Sequence, residues 1–256
     1  MTDFIISHLL PAQDIWISLA ILGVFLISGV IKGFLGIGLP AAVMALLTLL
    51  MEPTVAISLL TLPIIFTNIA QFMRSESPRQ IASRYWLFAL SIMSSIFVTS
   101  LFIMSYPTEI LTISIGFAMI AFSLTQMFGA QITIGPSRKW HVIVGFFSGI
   151  LGGLSSIWSP PVAMYLFTQN VSKGEFIGAT GFLFLAGSIP LATGLALAGV
   201  LTMDTMLHSL IGLVVVLCGF RIGEWMRGFV PTGVFRRIVL WAFLVMGIRL
   251  IAVGLL

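Results

Sequence analysis

The sequence predicts an all-α polytopic membrane protein with an inverted-topology repeat: six full spans plus two opposed re-entrant or broken-helix hairpins. Three observations predict it. The first is composition. Of 256 residues, 59% are hydrophobic and 8% charged, with 12 Lys or Arg against 8 Asp or Glu. A soluble domain carries about 25% charged residues, so this chain has too little polar side chain to cover a globule in water. The second is a series of long apolar runs, most of them near the ~20 residues that cross a bilayer as a helix. The third is an internal repeat. At a gapless offset of 120 residues, SGVIKGFLGIGLPAAVMALLT (28–48) lies over SGILGGLSSIWSPPVAMYLFT (148–168). The identities are Ser28/Ser148, Gly29/Gly149, Gly33/Gly153, Ile37/Ile157, Pro40/Pro160, Met44/Met164, Leu46/Leu166 and Thr48/Thr168. Repeats of this kind are a signature of secondary transporters.

Ten helical segments follow from the apolar runs: 15–32, 39–51, 54–73, 85–105, 108–130, 140–151, 159–170, 176–199, 204–226 and 233–255. Segments 39–51 and 159–170 span only about 18–20 Å at ~1.5 Å per residue, too short for a ~30 Å hydrocarbon core. Each begins with proline after a Gly/Ser stretch, GFLGIGLP at 33–40 and GGLSSIWSPP at 152–161. Proline suits the first turn of a helix. No soluble domain fits between the runs, so residues 1–256 form one membrane transport domain with repeat halves 15–130 and 140–255. The start, MTDFIISHLLPAQD, has acids and no basic stretch, unlike a signal peptide.

Basic residues sort the loops. Arg74, Arg79 and Arg84 form one cluster, Arg138 and Lys139 a second, and Arg221, Arg227, Arg236 and Arg237 a third. All three are expected in the cytoplasm. The base-free turns 105–109 and 199–204, and both termini, are expected outside. Each half then makes an odd number of crossings, and the halves run in opposite directions. The hairpin 140–170 enters from the cytoplasm and its counterpart from outside; counting every segment as a crossing gives ten spans with the same inversion.

Irregular backbone at membrane depth is tolerated where it is buried or lines a cavity, so two breaks meeting near the midplane predict a binding site. The helix starting after each break presents free N–H groups and the positive end of its dipole, which favour an anion. Gly33, Gly36, Gly38 and Gly153 let a ligand approach the backbone. Pro40 and Pro160 start the two short helices. Ser155, Ser156 and Ser159 add hydroxyls, Lys32 adds the one positive charge at either break, and Trp158 sits at the second tip. Asn68 and Tyr165 complete the candidate set. Competing readings are structural: the glycines as helix contacts, Lys32 snorkelling to a headgroup, the serines bonding back to helix carbonyls, Asn68 gluing helices, and Tyr165 packing.

Other function classes fit less well. There is no HExxH and no membrane aspartate pair; three scattered histidines do not make a metal or haem site. We therefore expect no enzyme, metal or cofactor. Basic residues that set topology are no sign of nucleic acid. The single cysteine, Cys218, has apolar flanks that predict a buried, inert thiol. The expected partners are a small anionic substrate, the lipid bilayer and, as an open option, a second copy forming a homodimer.

At the two breaks the sequence resembles the sulfite exporter TauE/SafE family of DUF81-like permeases. The resemblance is carried by SGVIKGFLGIGLPAAVMALLTLLMEPTVAISLL (28–60) and GFFSGILGGLSSIWSPP (145–161) within a two-repeat chain. It implies a multi-pass permease of the bacterial inner membrane for sulfite, a sulfonate such as sulfoacetate, or a related carboxylate. The second break departs from the family's glycine run, reading SSIWS, so cavity size and polarity differ, and Trp158 either shrinks the cavity or stacks on a larger anion. The scarcity of intramembrane ionisable groups, with only Glu52, Glu109 and His208 near the predicted edges, favours export with alternating access around the two breaks and leaves proton symport open. The alternatives are a passive small-solute channel and a non-transporting membrane assembly factor.

Overall fold

The computed structural model describes residues 15–128, 137–169, 171–226, 228–230 and 232–256. Residues 1–14, 129–136, 170, 227 and 231 lie outside them. Within the described residues the protein is all-helical. The first half comprises α1 (Ile15–Leu35), α2 (Leu39–Leu47), α3 (Pro53–Met73), α4 (Pro78–Leu101) and α5 (Thr108–Phe128). The second comprises α6 (Arg138–Ser155), α7 (Ser159–Thr168), α8 (Lys173–Leu197), α9 (Met203–Met226) and α10 (Thr232–Gly254). Seven of these helices are long and apolar enough to cross a membrane. The seventh, beyond the six expected, is α1: its 21 residues reach about 31 Å. The equivalent arm, α6, has 18 residues and opens on Arg138-Lys139.

Local sequence sets the helix starts. Proline occupies the first turn of α2, α3, α4 and α7, where its missing N–H removes no intrahelical bond. That is why α4 begins at Pro78 rather than at 85. At α8, Ser172 accepts from the Glu175 N–H at 3.1 Å, an N-cap in a Ser-x-x-Glu pattern. Proline inside α3 is a different problem, because Pro63 leaves the Leu59 carbonyl without its usual donor. Ser209 of α9 repairs the gap: its hydroxyl donates to Leu59 O at 2.8 Å and accepts from Leu62 N at 3.0 Å.

The packing is organised by pairs. Helix α1 lies along α9, and its equivalent α6 lies along α4, the equivalent of α9. The contacts α4–α8 and α9–α3 are exchanged in the same way, while α3 meets α8 and α5 meets α10. This is the pattern of an approximate two-fold relating the halves. Glycines make the seams close. A Cβ on Gly29, Gly33, Gly219 or Gly223 would lie 2.1–2.4 Å from a backbone oxygen of the facing helix. On the α4–α6 seam, Gly145, Gly149 and Gly153 lie against Ser91, Ser95 and Thr99. Small residues spaced by four bring helix backbones together where lipid gives no hydrophobic drive to association.

The outer faces are apolar, with Trp16, Phe117, Trp241 and Val245 among the exposed side chains, as a lipid-facing surface requires. Cys218 is exposed too, contrary to the expected buried thiol. Its side of α9 faces away from the seam that Val216, Gly219 and Gly223 form with α1. The basic loops gather at one end of the bundle: Arg74 pairs with Glu224 at 3.3 Å and Arg84 with Glu175 at 2.6 Å. That gathering agrees with the single-sided placement expected for those clusters.

Candidate functional site

Helix α1 ends on Gly36, whose φ is +82° and whose N–H donates to Lys32 O at 2.7 Å. Helix α6 ends on Ser156, with φ +59°, and its N–H donates to Gly152 O at 2.7 Å. Residues 36 and 156 are equivalent in the repeat, so both breaks are made by the same left-handed cap. After the first, Gly38 caps α2 at φ +98°. After the second, Trp158 occupies the equivalent place before α7. The starts of the two new helices border one narrow cleft with a free volume of about 10 Å³. It is lined by Lys32, Ile37, Gly38, Pro40, Ile64, Asn68, Ser156, Trp158, Ser159 and Phe184. That volume holds about one water.

Lys32 is buried, and its Nζ donates to Asn68 Oδ1 at 2.6 Å. No described acid borders the cleft. Glu109, Glu175 and Asp204 lie in first helical turns and Glu52 caps α3. An ammonium has three donors, so the one bond to Asn68 leaves capacity unused. Two other residues of the cleft wall carry a buried polar atom without a protein partner: Ser156 Oγ and Trp158 Nε1. An indole N–H can only donate. Buried donors without partners cost free energy, about 1–3 kcal/mol each. Unpartnered polar atoms on residues of the same cleft as a lysine suit a small, acceptor-rich, negatively charged group.

The structure therefore brings together Lys32, Gly38, Pro40, Asn68, Ser156, Trp158 and Ser159 of the residues singled out from sequence. It does not bring in the others. Gly33 packs against the Phe220 carbonyl and Gly153 against Thr99; both are helix contacts, the competing reading for glycine. Gly36 shapes the cap but borders a neighbouring cavity instead. Ser155 is turned into its own backbone, donating to Leu151 O at 2.6 Å and accepting from Ile157 N at 3.1 Å. Pro160 is buried in the first turn of α7. Tyr165 packs edge-on against Phe88 and His141, with ring centroids at 5.4 and 5.3 Å. Ile64 and Phe184 had no signal in sequence, because an apolar cavity wall reads like any lipid-facing run. Ile37 had one, its identity with Ile157.

No curated protein and no solved structure matches the chain. The family model for the sulfite exporter TauE/SafE matches residues 21–250, a stretch that includes both breaks and every residue of the cleft. The fold is that of a multi-pass membrane protein, and the chain belongs to the TauE/SafE family of membrane permeases.

Proposed function

We propose that this protein exports a small oxyanion, sulfite or a short sulfonate or carboxylate, which binds between the two breaks. The observation that carries the reading is that three residues of one cleft, Lys32, Ser156 and Trp158, carry buried polar groups with unused donor capacity, and no described acid is on its wall. Lys32 supplies the charge, the serine and indole supply direction, and the two helix starts add dipole attraction. Asn68 holds the ammonium in place while leaving donors for the substrate. Among the described residues no acid lines the cleft to act as an obligatory proton carrier. The membrane potential suffices as drive: inside-negative, it pushes each negative charge outward by about 2.3 kcal/mol per 100 mV. A bacterial inner membrane supplies such a potential.

The narrowness of the cleft supports a carrier over a passive channel. A tetrahedral or pyramidal oxyanion is wider than one water, so the walls must part to admit it, as alternating access requires. Purified protein in liposomes, with an imposed potential and labelled sulfite or ethanesulfonate, tests the proposal. Saturable flux that shows counterflow is the expected result. Flux without saturation identifies a channel. Absence of flux for every anion offered sinks the transport reading and leaves an assembly factor.

A further inference from the structure

A second cavity, about 200 Å³, lies beside the first at the basic end of the bundle. Ile37 lines both. The walls of the second cavity are largely apolar, from Phe122, Phe167, Phe176 and Leu240. Its polar side chains are Arg236 and Gln126. Arg236 donates from one guanidinium nitrogen, Nη2, to Gln126 O at 2.5 Å and to Gln126 Oε1 at 3.0 Å. No ion pair to a carboxylate involves Arg236 among the described residues. Gln126 is buried, and its Nε2 has no partner in the protein. A cation without an ion-pair partner thus stands beside an unpartnered amide donor, in a cavity that shares Ile37 with the Lys32 cleft.

We propose that Arg236 and Gln126 form a second binding station for the transported anion, an entry vestibule at the cytoplasmic end with Ile37 as the barrier to the Lys32 cleft. The proposal rests on the reading of the Lys32 cleft as an anion site. Its chemistry is more selective than that of the cleft. A guanidinium fork matches two oxygens of a sulfonate or carboxylate, and the aromatic and aliphatic walls suit an apolar substituent behind them. The station therefore favours an organosulfonate or organic carboxylate over bare sulfite.

The test is equilibrium binding of labelled ethanesulfonate and sulfite to the full-length protein in detergent. Lys32→Met is expected to keep one ethanesulfonate site. Adding Arg236→Ala to it is expected to weaken that site at least ~10-fold. Adding Gln126→Glu instead separates binding from structure. The new carboxylate still accepts from Arg236 and braces it, yet neutralises it, so anion binding is lost while the melting temperature holds. Loss of all binding in Lys32→Met, residual binding indifferent to Arg236→Ala, or a preference of that site for sulfite each overturns the vestibule. If the wild type binds ethanesulfonate through Arg236 but liposomes show no flux, the Arg236–Gln126 anion site stands, its role as an entry vestibule falls, and the transport reading fails.

Discussion

The two breaks share a backbone and divide the chemistry. Gly36 and Ser156 are the same left-handed cap with the same 2.7 Å hydrogen bond, and Pro40 and Pro160 start the same short helix. The side chains are opposite. The first break carries Lys32 one turn before the cap and bare Gly38 after it. The second carries bare Gly152 before the cap and Trp158 after it. A Cβ on Gly152 would lie 2.9 Å from the Trp158 side chain, and one on Gly187 would lie 3.2 Å from it. Those glycines make room for the indole. Asn68, which holds Lys32, has Ser188 as its equivalent, and that hydroxyl turns back to Leu185 O at 2.8 Å. Charge is thus concentrated in one half and bulk in the other. A symmetric frame holds an asymmetric site.

The comparison can be broken at its frame first. Gly33→Val and Gly153→Val each drive a side chain into the facing helix. Both are expected to cost about 3 kcal/mol or more, enough to abolish a monodisperse peak in detergent size-exclusion. If only one does so, the halves are not equivalent. Next comes the charge: Lys32→Met keeps the length of the side chain and removes the cation, and anion flux in liposomes should fall ~10- to 100-fold. A flux within twofold of wild type would falsify the assignment of charge to the first break. Trp158→Phe keeps most of the bulk and removes the N–H. A loss of about fivefold in affinity is expected, near the ~1 kcal/mol of one hydrogen bond; no loss means that the indole only fills space. The smallest effect sharpens the rest. Ser156→Gly relieves a left-handed non-glycine worth ~1 kcal/mol, so melting should rise while flux falls, and Gly36→Ser should lower melting. If Ser156→Gly raises both, the strained serine has no role with substrate.

How much of this was legible follows from physical contrast. In a chain this apolar, a lysine, a pair of serines and a tryptophan beside Gly/Pro breaks stand out, and Lys32, Ser156 and Trp158 do line the cleft. The breaks themselves were readable because left-handed caps and first-turn prolines have residue signatures. The glycines were not sortable by sequence. Gly33 and Gly38 look alike in a string, and only the arrival of α9 at one of them makes it a seam. Ser155 and Ser156 are neighbours, yet the helix geometry turns one inward to its own carbonyl and frees the other. Arg236 read as a topology signal because its position beside Gln126 depends on α5 and α10 meeting across more than a hundred residues. The length of α1 was underestimated, since Gly33 and Gly36 resemble a helix end and only the second is one.

The exchange of partners across the two-fold changes what a half of this chain is. Helix α1 finds its closest seam on α9, and α6 finds its own on α4. Neither half therefore contains a finished core. Cut apart, each would expose rows of glycine made for the other's backbone. Two separate polypeptides inserted in opposite orientations would assemble the same body, and a single polypeptide inserted both ways would assemble a symmetric ancestor of it. In that ancestor a lysine would face its own copy across the axis. The present division, cation on one side and indole on the other, is what joining the halves allows.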